Sequence, residues 1–179
     1  MDIDKIIDKY YSDNSELKDL LVLHSESVAR KAFEIVDRDS SIGDFNLKFI
    51  REASMLHDIG VFLTNAPFIY CYGTSPYICH GVLGAEILRK EGLPYHALVC
   101  ERHTGAGISL QQIIDKDLPL PHRDMLPVSK EEVLICYADM FFSKTDPYRE
   151  KSIHEVEKSL QKHGQEGIIR FRKWHKMFS

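Results

Sequence analysis

Apolar residues fall at helical spacing along most of this chain. Ile3, Ile6, Ile7 and Tyr10 share one side of a short amphipathic helix over residues 1–11. Ser12-Asp13-Asn14-Ser15 breaks it and offers a cap for the next helix. Leu17, Leu20, Leu21, Val28, Ala32, Ile35 and Val36 then predict a long helix to about Val36, with His24 on its apolar stripe. Residues 37–46 are polar, contain Gly43 and read as a loop. A third helix starts near Asn46, carries Leu47, Ile50, Ala53, Ser54 and His57, and ends at Ile59-Gly60, where glycine tolerates a left-handed, helix-terminating backbone.

Residues 61–76 read as irregular, and an irregular stretch this long and aromatic points to a lid or pocket wall. His80, Leu83, Gly84, Ile87 and Leu88 predict a helix that stops at Gly92-Leu93-Pro94. A short helix over 95–102 leads into His103-Thr104-Gly105-Ala106-Gly107, where two glycines allow close backbone approach. One or two helical turns follow at 110–114, then a proline-rich connector over 118–127. Ser129 with Glu132 is a capping box that launches a helix through Val133, Leu134, Cys136, Tyr137 and Asp139. Charged and apolar residues alternate over 151–178 as one or two surface-packed helices, with a break at Gly164 to Gly167.

Composition narrows the class. The chain has 179 residues, the size of one domain, and 44% are hydrophobic, enough for a core. No repeat or linker divides it, so residues 1–179 are expected to form one unit. No apolar run approaches the roughly 18 residues of a membrane span, and the N-terminus lacks a basic segment followed by an apolar one. Neither a membrane partner nor a signal peptide is expected. Cys71, Cys79, Cys100 and Cys136 show no CxxC spacing and read as reduced cysteines of a cytoplasmic protein. A net charge of −4 argues against a grip on a nucleic acid polymer. A small phosphorylated substrate stays compatible, because bound ions supply local positive charge.

Nine histidines in this length are an excess that a metal site would explain. Met55-Leu56-His57-Asp58-Ile59-Gly60 places an imidazole nitrogen beside a carboxylate that can hold one cation or bridge two. His24, His80, His103 and Asp139 flank it, each near the core face of a predicted helix or at a helix end. Separations of 33, 1, 22, 23 and 36 residues suit ligands on successive helices converging on a bundle centre. Four imidazoles and two carboxylates can serve two five- or six-coordinate metals with Asp58 bridging. Each residue has a plainer reading. His24 can be a hydrogen-bonded core histidine, and Asp139 can be paired in a salt bridge, since a buried lone carboxylate is costly.

The ordered set H…HD…H…H…D resembles the HD-domain superfamily in its dinuclear, additional-histidine form. His57-Asp58-Ile59-Gly60 matches the HDIG signature. His80-Gly81-Val82-Leu83-Gly84-Ala85-Glu86 and Arg102-His103-Thr104-Gly105 are similar to the bacterial HD hydrolases that split diadenosine tetraphosphate symmetrically. Tyr137-Ala138-Asp139 resembles their closing motif, and the likeness covers roughly residues 17–145. It implies an all-α fold, a single HD-domain helical bundle around the metals. It also implies the ligand arrangement: His24, His57, Asp58 and Asp139 on one ion, and Asp58, His80 and His103 on the other. Two divalent ions are implied, iron foremost, with manganese compatible.

The chain departs from that pattern. Val61 stands where many dinuclear members place a lysine after HDIG, and Met140 stands where a lysine often follows the last aspartate. Arg102, Arg123 and Lys144 are candidate replacement cations, though each residue type is more often a surface salt-bridge partner. Thr104 is a candidate substrate donor or a loop residue. Tyr70, Tyr72 and Tyr77 line a ring pocket or pack as core. The resulting expectation is a metal-dependent phosphohydrolase acting on a nucleotide, dinucleotide or other small phosphate ester, with Asp58 bridging the ions and orienting the nucleophile. Two alternatives stay open: a mixed-valent di-iron HD oxygenase cleaving a polyol or phosphonate, and a non-catalytic metal-containing sensor module. The oligomeric state is open too, a homodimer included.

Overall fold

Capping chemistry sets most of the helix starts. In the computed structural model, which describes residues 2–179, Asp2 caps α1 (Ile3–Tyr11) by accepting from the Lys5 amide. Asn14 caps the long α2 (Ser15–Arg38) through the Leu17 amide at 3.0 Å. Asn46 caps α3 (Leu47–Leu56) in the same way. These oxygens satisfy amides that a first helical turn leaves unpaired. Then follow α4 (His80–Lys90), α5 (Pro94–Arg102), α6 (Leu110–Asp115), α7 (Lys130–Asp139), α8 (Ile153–Gln161) and α9 (Gln165–Phe178). Ser129 and Glu132 form the expected capping box. Ser109 with Gln112 and Ser152 with Glu155 form two more, spelled by the same spacing in the sequence. The molecule is a helical bundle, and none of the described helices is long and apolar enough to cross a membrane.

Three expectations need correction. The stretch 61–76 is not wholly irregular: β1 (Asn65–Ala66) and β2 (Cys71–Tyr72) pair antiparallel, Asn65 opposite Tyr72 and Ala66 opposite Cys71. Strands of two residues are too short to leave an alternating pattern. The C-terminal break lies at Gly164 (φ +112), whereas Gly167 is inside α9. Gly60, finally, is not left-handed; its φ is −88. What demands glycine there is space, since a Cβ would lie 2.3 Å from Gly84 N and 2.4 Å from His80 O. The turn after α3 thus rests on the backbone of α4.

Two apolar cores fill the bundle. One joins Leu17, Leu21, Leu56, Ile59, Leu88 and Cys100 with the hairpin residues. The other joins Val28, Ala32, Ile50, Ala53 and α7 with Phe171 and Trp174 of α9. Helices α2 and α3 contribute to both. His24 falls between Leu21 of one core and Val28 of the other, at the seam.

Candidate metal centre

The seam is where the polar residues gather. His24 comes from the middle of α2. The other five sit at helix boundaries: His57 caps the C-terminus of α3 with Asp58 next to it, His80 opens α4, His103 caps the C-terminus of α5 and Asp139 closes α7. Helix ends leave main-chain carbonyls unpaired, and the site uses them. His57 Nδ1 lies 2.6 Å from Ser54 O, His80 Nδ1 2.7 Å from Tyr77 O, and His103 Nδ1 2.7 Å from Cys100 O. A carbonyl only accepts, so each Nδ1 carries a hydrogen and each Nε2 points inward. This outer support fixes ring orientation and tautomer, as it does for metal-ligating histidines generally.

Asp58 is the hub. Its Oδ2 lies 3.3 Å from His24 Nε2 and 3.0 Å from His57 Nε2, and its Oδ1 lies 3.4 Å from His80 Nε2 and 3.3 Å from His103 Nε2. Asp139 Oδ1 joins the first half, 2.9 Å from His24 Nε2 and 3.5 Å from His57 Nε2. The donor atoms form two groups, His24, His57, Asp58 and Asp139 in one and Asp58, His80 and His103 in the other, each within 4.8 Å. His57 and Asp58 are fully buried, while 15% of the Asp139 side chain is exposed.

These residues fit metal ions by a test of polar satisfaction. Both ring nitrogens of His24, Nε2 of His57 and Oδ1 of Asp58 are buried without a hydrogen bond, and Asp58 Oδ2 has the Lys144 ammonium beside it. His80 and His103 aim their Nε2 atoms at each other across 3.1 Å. Two inward lone pairs do not bond to one another, and unpaired buried groups of this kind are costly. Cations in the two groups would satisfy the inward-facing atoms together, His24 Nδ1 alone lying outside both.

The charges agree. Burial raises the Asp58 carboxyl, but Lys144 and His57 outweigh it and hold it well below its ordinary range. Burial opposes charge on His57 as well, yet Asp58 and Asp139 lift it to about 10, so a proton does a cation's work in that half. His80 goes the other way: burial, with His103 and Lys144, brings it to about 3 against the pull of Asp58. Lys144 Nζ lies 2.5 Å from Asp58 Oδ2 with 13% of its side chain exposed, and Asp58 outweighs burial to raise it.

The remaining candidates divide. Arg102 pairs with Glu132 at 2.9 Å and Arg123 with Glu101 at 2.8 Å, so the salt-bridge reading holds for both arginines. Thr104 lines a cavity that His80 also lines. Lys144 lines a separate opening of about 250 Å³ with His24, Asp139, Ser143 and Thr145. Tyr77 lines both, its ring stacked on His80 with centroids 4.8 Å apart. Tyr70 and Tyr72 are exposed instead. Sequence spacing singled out Lys144 only as one of three cations. Ser143 and Thr145, its neighbours at the opening, were missed; their adjacency to it was the signal available.

The family described as HD domain matches residues 21–142. An uncharacterized protein of Methanocaldococcus jannaschii is 34% identical over 144 residues, covering 79% of this chain and 76% of that one. Two proteins named tRNA (cytidine(56)-2′-O)-methyltransferase are also similar. The one from Picrophilus torridus is 29% identical across 84% of this chain, and the one from Thermoplasma volcanium 30% across 80%. The match spans only 42% and 40% of their lengths. No solved structure matches the chain.

Proposed function

This chain belongs to the HD domain family, and from that premise we propose that it is a phosphohydrolase acting on a small phosphate ester. The observation that carries the reading is Lys144, whose ammonium lies 2.5 Å from Asp58 at the opening to the histidine–aspartate cluster. It supplies the cation that Val61 and Met140 do not. His24, His57, Asp58 and Asp139 would hold one divalent ion, and Asp58, His80 and His103 a second. Iron and manganese both suit such nitrogen and oxygen donors. When bound, the ions supply Lewis acidity, which polarises phosphoryl oxygens and brings the pKa of a water toward neutrality.

The chain's own residues do the rest. Asp58 faces one oxygen to each half and keeps the two halves in register. The carbonyls of Ser54, Tyr77 and Cys100 hold three imidazoles in their working tautomer. Lys144 meets the charge on the equatorial phosphoryl oxygens, a role in which a preorganised cation is most effective inside a water-poor site. Ser143 and Thr145 stand beside it to donate hydrogen bonds to the same group. The motif resemblance to the diadenosine tetraphosphate hydrolases favours nucleotides and dinucleotides as the first substrates to try.

The test is elemental analysis of natively purified protein, followed by a phosphate-release panel of nucleotides, dinucleotides and sugar phosphates. Phosphate release that depends on the bound metal is expected. Oxygen consumption by iron-loaded protein on a polyol or phosphonate, with no phosphate released by the panel, would replace this reading with the oxygenase. Bound metal with no turnover of either kind would leave a sensor.

A further inference from the structure

The cluster is approached from two sides, and the two approaches differ in chemistry. The Lys144 side sets an ammonium, the Asp139 carboxylate and the hydroxyls of Ser143 and Thr145 beside Phe68 and Phe142. The His80 side opens into a larger cavity of about 360 Å³, whose walls include Tyr77, Thr104, Ile108, Leu118, Leu160 and Gly167. That volume is within the roughly 300–1,000 Å³ of small-molecule pockets. Part of its polar lining is spent on the chain itself, the His163 ring excepted. Gln112 Oε1 accepts from the Ser109 amide and from Arg170, and Lys116 Nζ donates to His163 O. Among the described residues the Thr104 hydroxyl makes no hydrogen bond, and it lines the cavity together with His80. Tyr77 adds a flat wall, already stacked on the His80 ring. A largely apolar chamber with Tyr77, the Thr104 hydroxyl and His163 in its walls, touching the metal-binding cluster at His80, suits a ring joined to a phosphate.

We propose that this cavity is the subsite for the organic part of the substrate, and that this part is a planar, uncharged ring system of nucleoside type. The substrate would straddle Tyr77, ring on the His80 side and phosphoryl oxygens toward Lys144. This rests on the phosphohydrolase reading for the phosphate end, but not for the ring end. It also gives α8 and α9 a role outside residues 21–142, the stretch that matches the family: Leu160 and Gly167 close the chamber.

Gly167 makes the idea testable. A Cβ there would lie 3.6 Å from Leu160 Cδ2 and 3.9 Å from Ala106 Cβ, ordinary contact distances. Gly167→Ala therefore keeps the fold while narrowing the chamber, and the larger Gly167→Leu narrows it further. The probe is adenosine, titrated into the protein as purified and followed by calorimetry, with glycerol as the control. Adenosine should bind and glycerol should not. Gly167→Leu should weaken adenosine by about tenfold or more, each tenfold being about 1.4 kcal/mol, and Gly167→Ala should weaken it less. With turnover, the ratio of kcat/KM for adenosine monophosphate to that for glycerol phosphate should fall in the same order. No adenosine binding at millimolar concentration overturns the proposal. So does undiminished binding in whichever of the two variants keeps the parent's melting temperature. Should neither ester be hydrolysed while adenosine binding follows the variants as stated, the subsite stands and the phosphohydrolase reading falls.

Discussion

Asp58 carries two buried oxygens, each turned to a different pair of imidazoles. Asp58→Ala should therefore remove metal from both halves, where loss at one ligand of an unshared site would remove it from one. Elemental analysis of the purified variant reads this directly, and full metal content would contradict the bridging role. Lys144 makes a different prediction. It lies on Asp58 but is not in either donor group, so Lys144→Ala should keep the metal and lower kcat by about 100–1,000-fold, the scale of losing one preorganised donor. His57 sets the pH dependence. Its pKa is raised to about 10 in the metal-free cluster, so an ion must displace a proton there at neutral pH. Metal affinity should rise with pH until about 10, and binding at pH 7 should release protons, seen as buffer-dependent heats in calorimetry. The sign for stability is opposite: a raised imidazole pKa stabilises the metal-free fold below the ordinary value near 6.5, and that contribution is lost as pH climbs through about 10.

At the scale of elements, tight crossings position these residues. Gly60 at the end of the α3 turn leaves no room for a Cβ against Gly84 N and His80 O. Because backbone atoms are the obstacle, Gly60→Ala should cost about 3 kcal/mol or more, at the upper end of overpacking, and separate His57–Asp58 from His80. Thermal unfolding and metal content should fall together. Such a crossing explains what could be read from the chain and what could not. Helix periods marked His24 on an apolar stripe, and turn residues marked His57, His80 and His103 as helix-end positions, because both are local properties of sequence. The need for glycine at 60 was legible but its reason was not, since the partner lies on α4, more than twenty residues away. The same holds for Lys144. Nothing local says that a lysine five residues beyond α7 folds back onto Asp58, or that Arg102 and Arg123 are already taken by Glu132 and Glu101. The short hairpin escaped because two-residue strands have no period.

Across the whole molecule, the cluster lies where two apolar cores meet, and its residues come from α2, α4, the turns after α3 and α5, and the end of α7. Ions bound there would clasp elements belonging to both cores. An ion that binds only the folded state at a hundred times its dissociation constant adds about 2.7 kcal/mol. Stripping with a chelator should accordingly lower the melting temperature by several degrees, checked by scanning calorimetry before and after dialysis. An unchanged transition would mean that the seam does not need a cation. The hydrogen bonds from His57, His80 and His103 to main-chain oxygens of residues 54, 77 and 100 reach beyond stability. The grip on each ring is anonymous with respect to the side chain that offers it. A side chain of similar size in place of Ser54 or Cys100 leaves the imidazoles held, so long as helix ends stay where they are. Inheritance of the centre then depends on the path of the backbone, which drifts far more slowly than the letters written along it.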